Sequence, residues 1–114
     1  MKKILALAIS AAFLAQNPVF AYAAESAVVK SVRVSAESVH ITTDRPVKYK
    51  AFSASQPPRV VVELEGARLR TLEEIPVNGT LLGKVRTGQF RTGVARVVLE
   101  LTQKAVYDVT QNGT

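Results

Sequence analysis

The sequence has no cysteine, no tryptophan and a single histidine, His40. The missing cysteine excludes disulfides, thiolate metal sites and a cysteine nucleophile. One histidine rules out a multi-histidine metal centre and speaks against a Ser-His-Asp triad. Aromatic residues make up only 6% of the chain, too few to stack a run of nucleic-acid bases. Negative charge is scarce as well: 9 Asp and Glu against 15 Lys and Arg leave a net charge of +6. The positive residues are dispersed rather than clustered in a tail, which also disfavours nucleic acid as partner. No G-x-S-x-G, P-loop or H-E-x-x-H pattern occurs, so nothing in the residues points to catalysis or to a cofactor. Asp44 and Asp108 are the only tempting carboxylate pair, and each sits beside a turn or strand end. Ser53 and Ser55 have no base nearby in the pattern.

What is present begins with a leader. Met1-Lys2-Lys3 is followed by an apolar run from Ile4 to Ala15, then Gln16-Asn17-Pro18 and the small residues of Ala21-Tyr22-Ala23-Ala24. This order reads as a secretory signal over residues 1–24, cut after Ala23 or Ala24. As a helix the apolar run would span about 18 Å, short of the roughly 30 Å needed to cross a bilayer. The reading therefore predicts a signal helix, export across the inner membrane and no stable membrane anchor after cleavage. Removal of Lys2 and Lys3 lowers the net charge from +6 to +4. Residues 25–114 form the expected domain, long enough to fold around one core without covalent staples.

That domain reads as strands. Val32 and Val34, then Val39, Ile41 and Thr43, alternate with polar residues, and Val47, Tyr49 and Ala51 resume the period after Asp44-Arg45-Pro46. Pro57-Pro58 separates this stretch from Arg59-Val60-Val61-Val62-Glu63-Leu64, which Gly66 closes. Arg68 to Glu74 lacks alternation and is expected to be a helical turn or an irregular crossover. Asn78-Gly79 marks a turn, Val85 a short strand, Gly88 to Gly93 a loop, and Ala95 to Leu101 and Ala105 to Val109 two further strands. His40 falls between Val39 and Ile41 and is expected to face solvent. Many short strands with close turns predict an all-β sandwich.

The chain also repeats itself. Arg59-Val-Val-Val-Glu-Leu64 recurs as Arg96-Val-Val-Leu-Glu-Leu101, and Val39 to Tyr49 lines up with Val97 to Tyr107, the tyrosines 58 positions apart. Two related halves packed face to face predict a pseudo-symmetric sandwich of two short sheets. Alternation puts Val60, Val62 and Leu64 in the core and turns Arg59, Val61 and Glu63 to solvent; Arg96, Val98 and Glu100 follow in the second copy. Arg59 and Glu63 lie about 13 Å apart along one strand, too far to neutralise each other, so each is expected to meet either a ligand or a neighbouring strand. The repeat implies one more thing. The counterpart of Arg59 to Leu64 would fall beyond Thr114, and Asn112-Gly113 is a pair that normally joins two strands. The last strand is therefore expected to be missing, the domain C-terminally truncated and the edge through Tyr107 unpaired.

Pro46-Val-Lys-Tyr49, Gln56-Pro-Pro-Arg-Val-Val-Val-Glu-Leu64, Val85-Arg-Thr-Gly-Gln-Phe90 and Ala95-Arg-Val-Val-Leu-Glu-Leu101 together resemble the AMIN domain, in order and spacing, over roughly Val28 to Thr110. Glu63 and Glu100 stand where that family often has Asp. The resemblance implies the N-terminal module of periplasmic N-acetylmuramoyl-L-alanine amidases or type IV pilus secretins. It implies a noncatalytic, peptidoglycan-binding β-sandwich that localises a cell-envelope protein. The alternative is a protein-interaction module that assists assembly of a secretin or secretion complex. By the same resemblance the peptidoglycan-binding residues would be Arg59, Val61, Glu63, Arg86, Gln89, Phe90, Arg96, Val98 and Glu100. Stem-peptide carboxylates call for arginine and sugars for mixed hydrogen-bonding groups. Phe52 and Phe90 are the only candidates for stacking on a sugar.

Overall fold

The computed structural model describes residues 4–11 and 26–112. They form ten strands: β1 (Ile4–Ala11), β2 (Ala27–Ser35), β3 (Ser38–Thr43), β4 (Lys48–Ser55), β5 (Pro58–Glu65), β6 (Ala67–Leu69), β7 (Glu74–Pro76), β8 (Leu82–Arg91), β9 (Val94–Leu101) and β10 (Val106–Asn112). Two five-stranded sheets result, ordered β10-β1-β3-β2-β6 and β4-β5-β9-β8-β7. We call them sheet A and sheet B. The expected all-β sandwich is present, and no described residue is helical.

The two halves are related as the repeat predicts. In the first, β2 and β3 form a hairpin in sheet A, and the chain then crosses to sheet B as β4. In the second, β8 and β9 form a hairpin in sheet B, and the chain crosses to sheet A as β10. Each half thus lends a strand to the other's sheet. Period-2 alternation sends one set of side chains inward from both sheets. The core contains Val29, Val32, Val39 and Ile41 from sheet A and Val60, Val62, Leu64, Val85, Val97 and Leu99 from sheet B, all buried. Tyr49 and Tyr107, the matched pair in the sequence, pack on it from the edge strands β4 and β10.

Three features depart from the sequence reading. The leader segment Ile4–Ala11 is a strand, not a helix; residues 12–25, including the cleavage region, lie outside the described set. β1 pairs in parallel with β10 on one side and β3 on the other, and its Leu5, Leu7 and Ile9 are fully buried. Leucine and alanine are good helix formers, but tertiary context overrides propensity, and here two sheet edges offer backbone partners along the whole segment. Second, β10 is not an unpaired edge on both sides, because β1 covers its inner flank. Third, β8 runs through Gly88 to Arg91, which were expected to loop; a register shift between Gln89 and Arg91 absorbs the irregularity, and Thr92-Gly93 makes the turn. Gly93 adopts a positive φ of 82° there, a backbone state open to glycine without strain. Arg68 to Glu74 is, of the two expected forms, the irregular crossover, and it holds the end of β6 and the start of β7.

Side chains fasten the crossovers. Asp44, leaving β3, accepts a hydrogen bond on Oδ1 from the Val28 amide at 2.9 Å and pairs with Arg45 at 3.3 Å. Burial alone would raise the Asp44 carboxyl pKa. The Val28 amide and the Arg45 guanidinium outweigh it and hold the group below its ordinary 3.8. Gln89 clamps the sheets to each other: its amide donates to the carbonyls of Ala67 and Arg91 and accepts from the Leu69 amide.

Two predictions follow from these local constraints. Ala36 opens the two-residue β2–β3 turn at a φ of 54°, where a Cβ is strained. Ala36→Gly should therefore raise stability by about 0.5–1 kcal/mol in urea unfolding. Asp44→Ala should cost about 1–2 kcal/mol at neutral pH, since it orphans the Val28 amide. A depressed carboxyl stabilises the fold above its unfolded pKa and loses that effect as pH falls through the folded value. The gap in melting temperature between wild type and Asp44→Ala should thus be constant near neutrality and close below pH 3.8.

Candidate ligand-binding faces

The outer face of sheet B gathers most of the predicted site residues. Its register aligns them in rows that cross four strands. Lys50, Glu63, Arg96 and Gly88 make one row, Phe52, Val61, Val98 and Arg86 the next, and Ala54, Arg59, Glu100 and Lys84 the third. Opposite charges stand within these rows and diagonally between neighbouring ones, and most of them pair. Arg96 forms an ion pair with Glu63 across β9 and β5. Arg86 bonds Glu100 at 2.6 Å, Lys84 bonds Glu74 at 3.0 Å, and Lys50 lies 3.6 Å from Glu65. Lys84, held by the Glu74 carboxylate with Glu100 nearby, has its pKa raised.

Val61 and Val98 sit in the middle row and were expected to meet solvent. Both are only 5% exposed, yet neither belongs to the interior core. The rows on either side of them carry long side chains, Lys50, Glu63 and Arg96 on one and Arg59, Glu100 and Lys84 on the other. Alternation identifies the face, but it does not show how deeply long neighbours cover it.

Phe90 lies at the end of β8 and is half-exposed. The Arg96 guanidinium stacks over its ring at 3.7 Å from the centroid, and Arg91 stands 5.3 Å away. Arg96 is therefore held twice, by Glu63 and by Phe90, while its Nε is buried without a hydrogen bond. Arg59 is freer. Its Nη1 donates to the Pro57 carbonyl at 2.8 Å, and it lines a shallow groove of about 340 Å³ with Ser53, Ser55 and Lys104. Gln89 leaves the group altogether, since its amide is consumed in joining β6 to β8. Phe52 remains half-exposed on the same face.

Sheet A presents a different surface, which the sequence reading passed over. An open groove of about 730 Å³ is lined by Lys30, Arg33, His40 and Arg70 among the hydroxyls of Ser10, Ser31, Ser35 and Thr42. His40 is exposed here, as expected, beside Arg33 in the β2–β3 register. No carboxylate lines the groove. None of Lys30, Arg33 and Arg70 makes an ion pair with a described residue, in contrast to the paired cations of sheet B. Alternation alone would have found Arg33 and His40. Arg70 comes from the non-alternating crossover and needed the fold to bring it in.

Residues 29–114 match the AMIN domain family. The chain belongs to that family. It is also 34% identical over 70 residues to the N-acetylmuramoyl-L-alanine amidase AmiC of Escherichia coli O6:H1 (strain CFT073). The aligned stretch takes in 57% of this chain and 17% of that enzyme. No solved structure matches it significantly. In this AMIN domain, then, the repeated Arg-Val-Val-x-Glu-Leu strands stand side by side as β5 and β9, and their outward charges interlock.

That interlocking changes what the arginines do. Arg59→Ala should leave stability within about 0.5 kcal/mol of wild type, as expected of an exposed side chain. Arg96→Ala should cost about 1–3 kcal/mol, because it strands the largely covered Glu63 carboxylate. A double-mutant cycle of Glu63→Ala and Arg96→Ala, read by urea unfolding, should show favourable coupling of about 1 kcal/mol.

Proposed function

We propose that this AMIN domain is a noncatalytic, exported module that binds peptidoglycan and holds a larger cell-envelope protein against it in the periplasm. The observation that carries the reading is the sheet A groove, where Lys30, Arg33 and Arg70, without an ion pair to any described residue, stand among hydroxyls. Peptidoglycan offers the matching chemistry: sugar hydroxyls for Ser31 and Thr42, and stem-peptide carboxylates for the cations. Family membership supports it, as does the similarity to an enzyme named for the muramoyl–alanine bond. The leader, residues 1–24, supplies the route of export in this reading, with the domain spanning 25–114. On sheet B we assign a second contact surface to Arg59, Arg86, Phe90 and Arg96. Glu63 and Glu100 set the arginine geometry there, and Val61 and Val98 are the floor beneath it. Half-exposed Phe52 and Phe90 give this face the apolar patches on which a sugar ring can rest.

A second reading has one structural observation in its favour. β4 and β10 are edge strands with free backbone groups, and such edges recruit polypeptide strands. In that reading the domain assists assembly of a type IV pilus secretin or a secretion complex.

Sedimentation with purified sacculi tests the leading reading. The protein should pellet with sacculi more than an unrelated protein of equal charge, and release no stem peptides. The triple variant Lys30→Ala, Arg33→Ala, Arg70→Ala should lose about tenfold or more in affinity, each carboxylate contact contributing on the order of 1 kcal/mol. Binding at the level of the charge-matched control would refute the proposal, and retention of a secretin or pilus protein instead would favour the second reading.

A further inference from the structure

The repeat allows the two ends of the sandwich to be compared residue by residue. Gln111 of β10 lies 58 positions after Ser53 of β4, and Ala105 lies 58 after Val47. Ser53 continues the inward set of Tyr49 and Ala51, as Gln111 continues that of Tyr107 and Val109. Val47 leads into β4 and Ala105 leads into β10. At one end the gap is closed, because Gln111 Nε2 donates to the Val47 carbonyl at 2.6 Å. At the other end Ser53 is too short for the same reach, and Ala105 is smaller than Val47. The groove of about 340 Å³ that Arg59 lines lies there, with Ser53 and Ala105 in its wall. Divergence between the two copies thus opens at one end what Gln111 closes at the other.

The lining of this groove has one consistent chemistry. Arg59 and Lys104 bring two positive charges, and neither makes an ion pair with a described residue. The Pro57 carbonyl, 2.8 Å from Arg59 Nη1, orients the guanidinium. Glu100 stands opposite Arg59 in the register, but its carboxylate is taken by Arg86. No carboxylate lines the groove, and Ser53 and Ser55 add hydroxyls. The floor is apolar: Ala54, Pro58, Leu101 and Ala105, of which the last two also pack on the core. Its volume is at the small end of the range for ligand clefts, about 300–1,000 Å³. A guanidinium fork beside an ammonium calls for a carboxylate. Hydroxyls suit an amide, and the floor suits a small aliphatic side chain. Carboxylate, amide and small side chain together describe the end of a peptide.

We infer that this end groove is a binding site for the free C-terminal carboxylate of a peptide that ends in small aliphatic residues. It shares no residue with the sheet A groove. Arg59 and Lys104 hold the carboxylate, the serine hydroxyls meet the last amide, and the apolar floor receives the last side chain. The source is a stem peptide of peptidoglycan; that assignment of source, though not the site, rests on the peptidoglycan reading.

Amide NMR of the full-length protein, titrated with N-acetyl-D-alanyl-D-alanine, reads the site directly. The Ala54 and Ala105 resonances should shift saturably, and those of Arg33 and His40 in sheet A should shift less. The same dipeptide closed as a C-terminal amide should bind at least about tenfold more weakly, as should the free acid to Arg59→Gln. Ser53→Gln supplies the side chain that closes the other end, and it should abolish the shifts. Arg59→Gln carries the test alone should Ser53→Gln fail to fold. Equal binding of acid and amide would overturn the carboxylate as the group recognised. Tighter binding of N-acetyl-L-alanyl-L-alanine, which stands for the end of a protein, would overturn the stem-peptide source. No shift, or shifts confined to sheet A, would overturn the site. Free dipeptides bypass the sacculus, so a failure to pellet with sacculi and a failure to bind here are separate results.

Discussion

Neither half of this domain can bury its own apolar residues, and the rest of the architecture depends on that constraint. The β2–β3 hairpin and the β8–β9 hairpin lie in opposite sheets, and each half's next strand crosses over to complete the other. The apolar faces of Val39 and Ile41 are thus covered by strands that come from distant parts of the sequence. Such an exchange ties folding to long-range contacts, since each crossed strand finds its sheet partners only in the other half. It also explains why small clamps recur at the crossovers. Asp44 pins the start of one crossing to the Val28 amide, and Gln89 stitches the β6 segment to β8 across the sandwich.

The outer faces show how one fold can carry two kinds of charged surface. On sheet B the repeat sequence places Arg and Glu four residues apart in both β5 and β9, and antiparallel pairing sets each Arg opposite a Glu. The Arg96–Glu63 pair is a geometric consequence of the repeat, while Glu100, opposite Arg59, takes its partner Arg86 from β8. This pairing makes the face rigid, at the expense of charges available to a ligand. Sheet A has no such repeat on its surface. β3 contributes His40 and Thr42 rather than acids, so Arg33 and Lys30 meet no partner across the strands. Solvated, unpaired cations need less desolvation and rearrangement to meet an incoming carboxylate than ion-paired ones do.

Much of this was legible in the residues. Period-2 alternation locates β2, β3, β4, β5, β9 and β10, because each turns one face to the core. The repeat reveals the two-fold relation, and the inward sets of β5 and β9 follow from it. What escaped has identifiable causes. Val61 and Val98 read as exposed because alternation encodes direction, and not the length of the side chains that close over a position. Gly88 read as a breaker, although it sits within a strand opposite Arg96 and the ladder to β9 runs through it. Arg70 was invisible because it belongs to the segment without a period. The leader read as a helix because the local signals of an apolar, alanine-rich run are helical, and only the fold shows two open edges at the spacing of a strand.

Those two edges carry an energetic consequence. Leu5, Leu7 and Ile9 are among the largest fully buried side chains in the molecule. Burial of three such groups is worth about 5–9 kcal/mol at about 1.5–3 kcal/mol each. The stability of a whole domain of this kind is about 5–15 kcal/mol. In sheet A, moreover, β10 touches only β1, so without a strand in that position β10 has no backbone partner in the sheet and Tyr107 and Val109 lose their anchorage. A chain cut after Ala24 would keep every residue of the grooves on β2, β3 and the crossover except Ser10, yet lose a contribution comparable to its entire stability. The ligand-facing chemistry and the integrity of the fold are therefore separable here. Sheet A's charged surface is written into β2, β3 and Arg70, while its completeness depends on β1, which stands between β3 and β10.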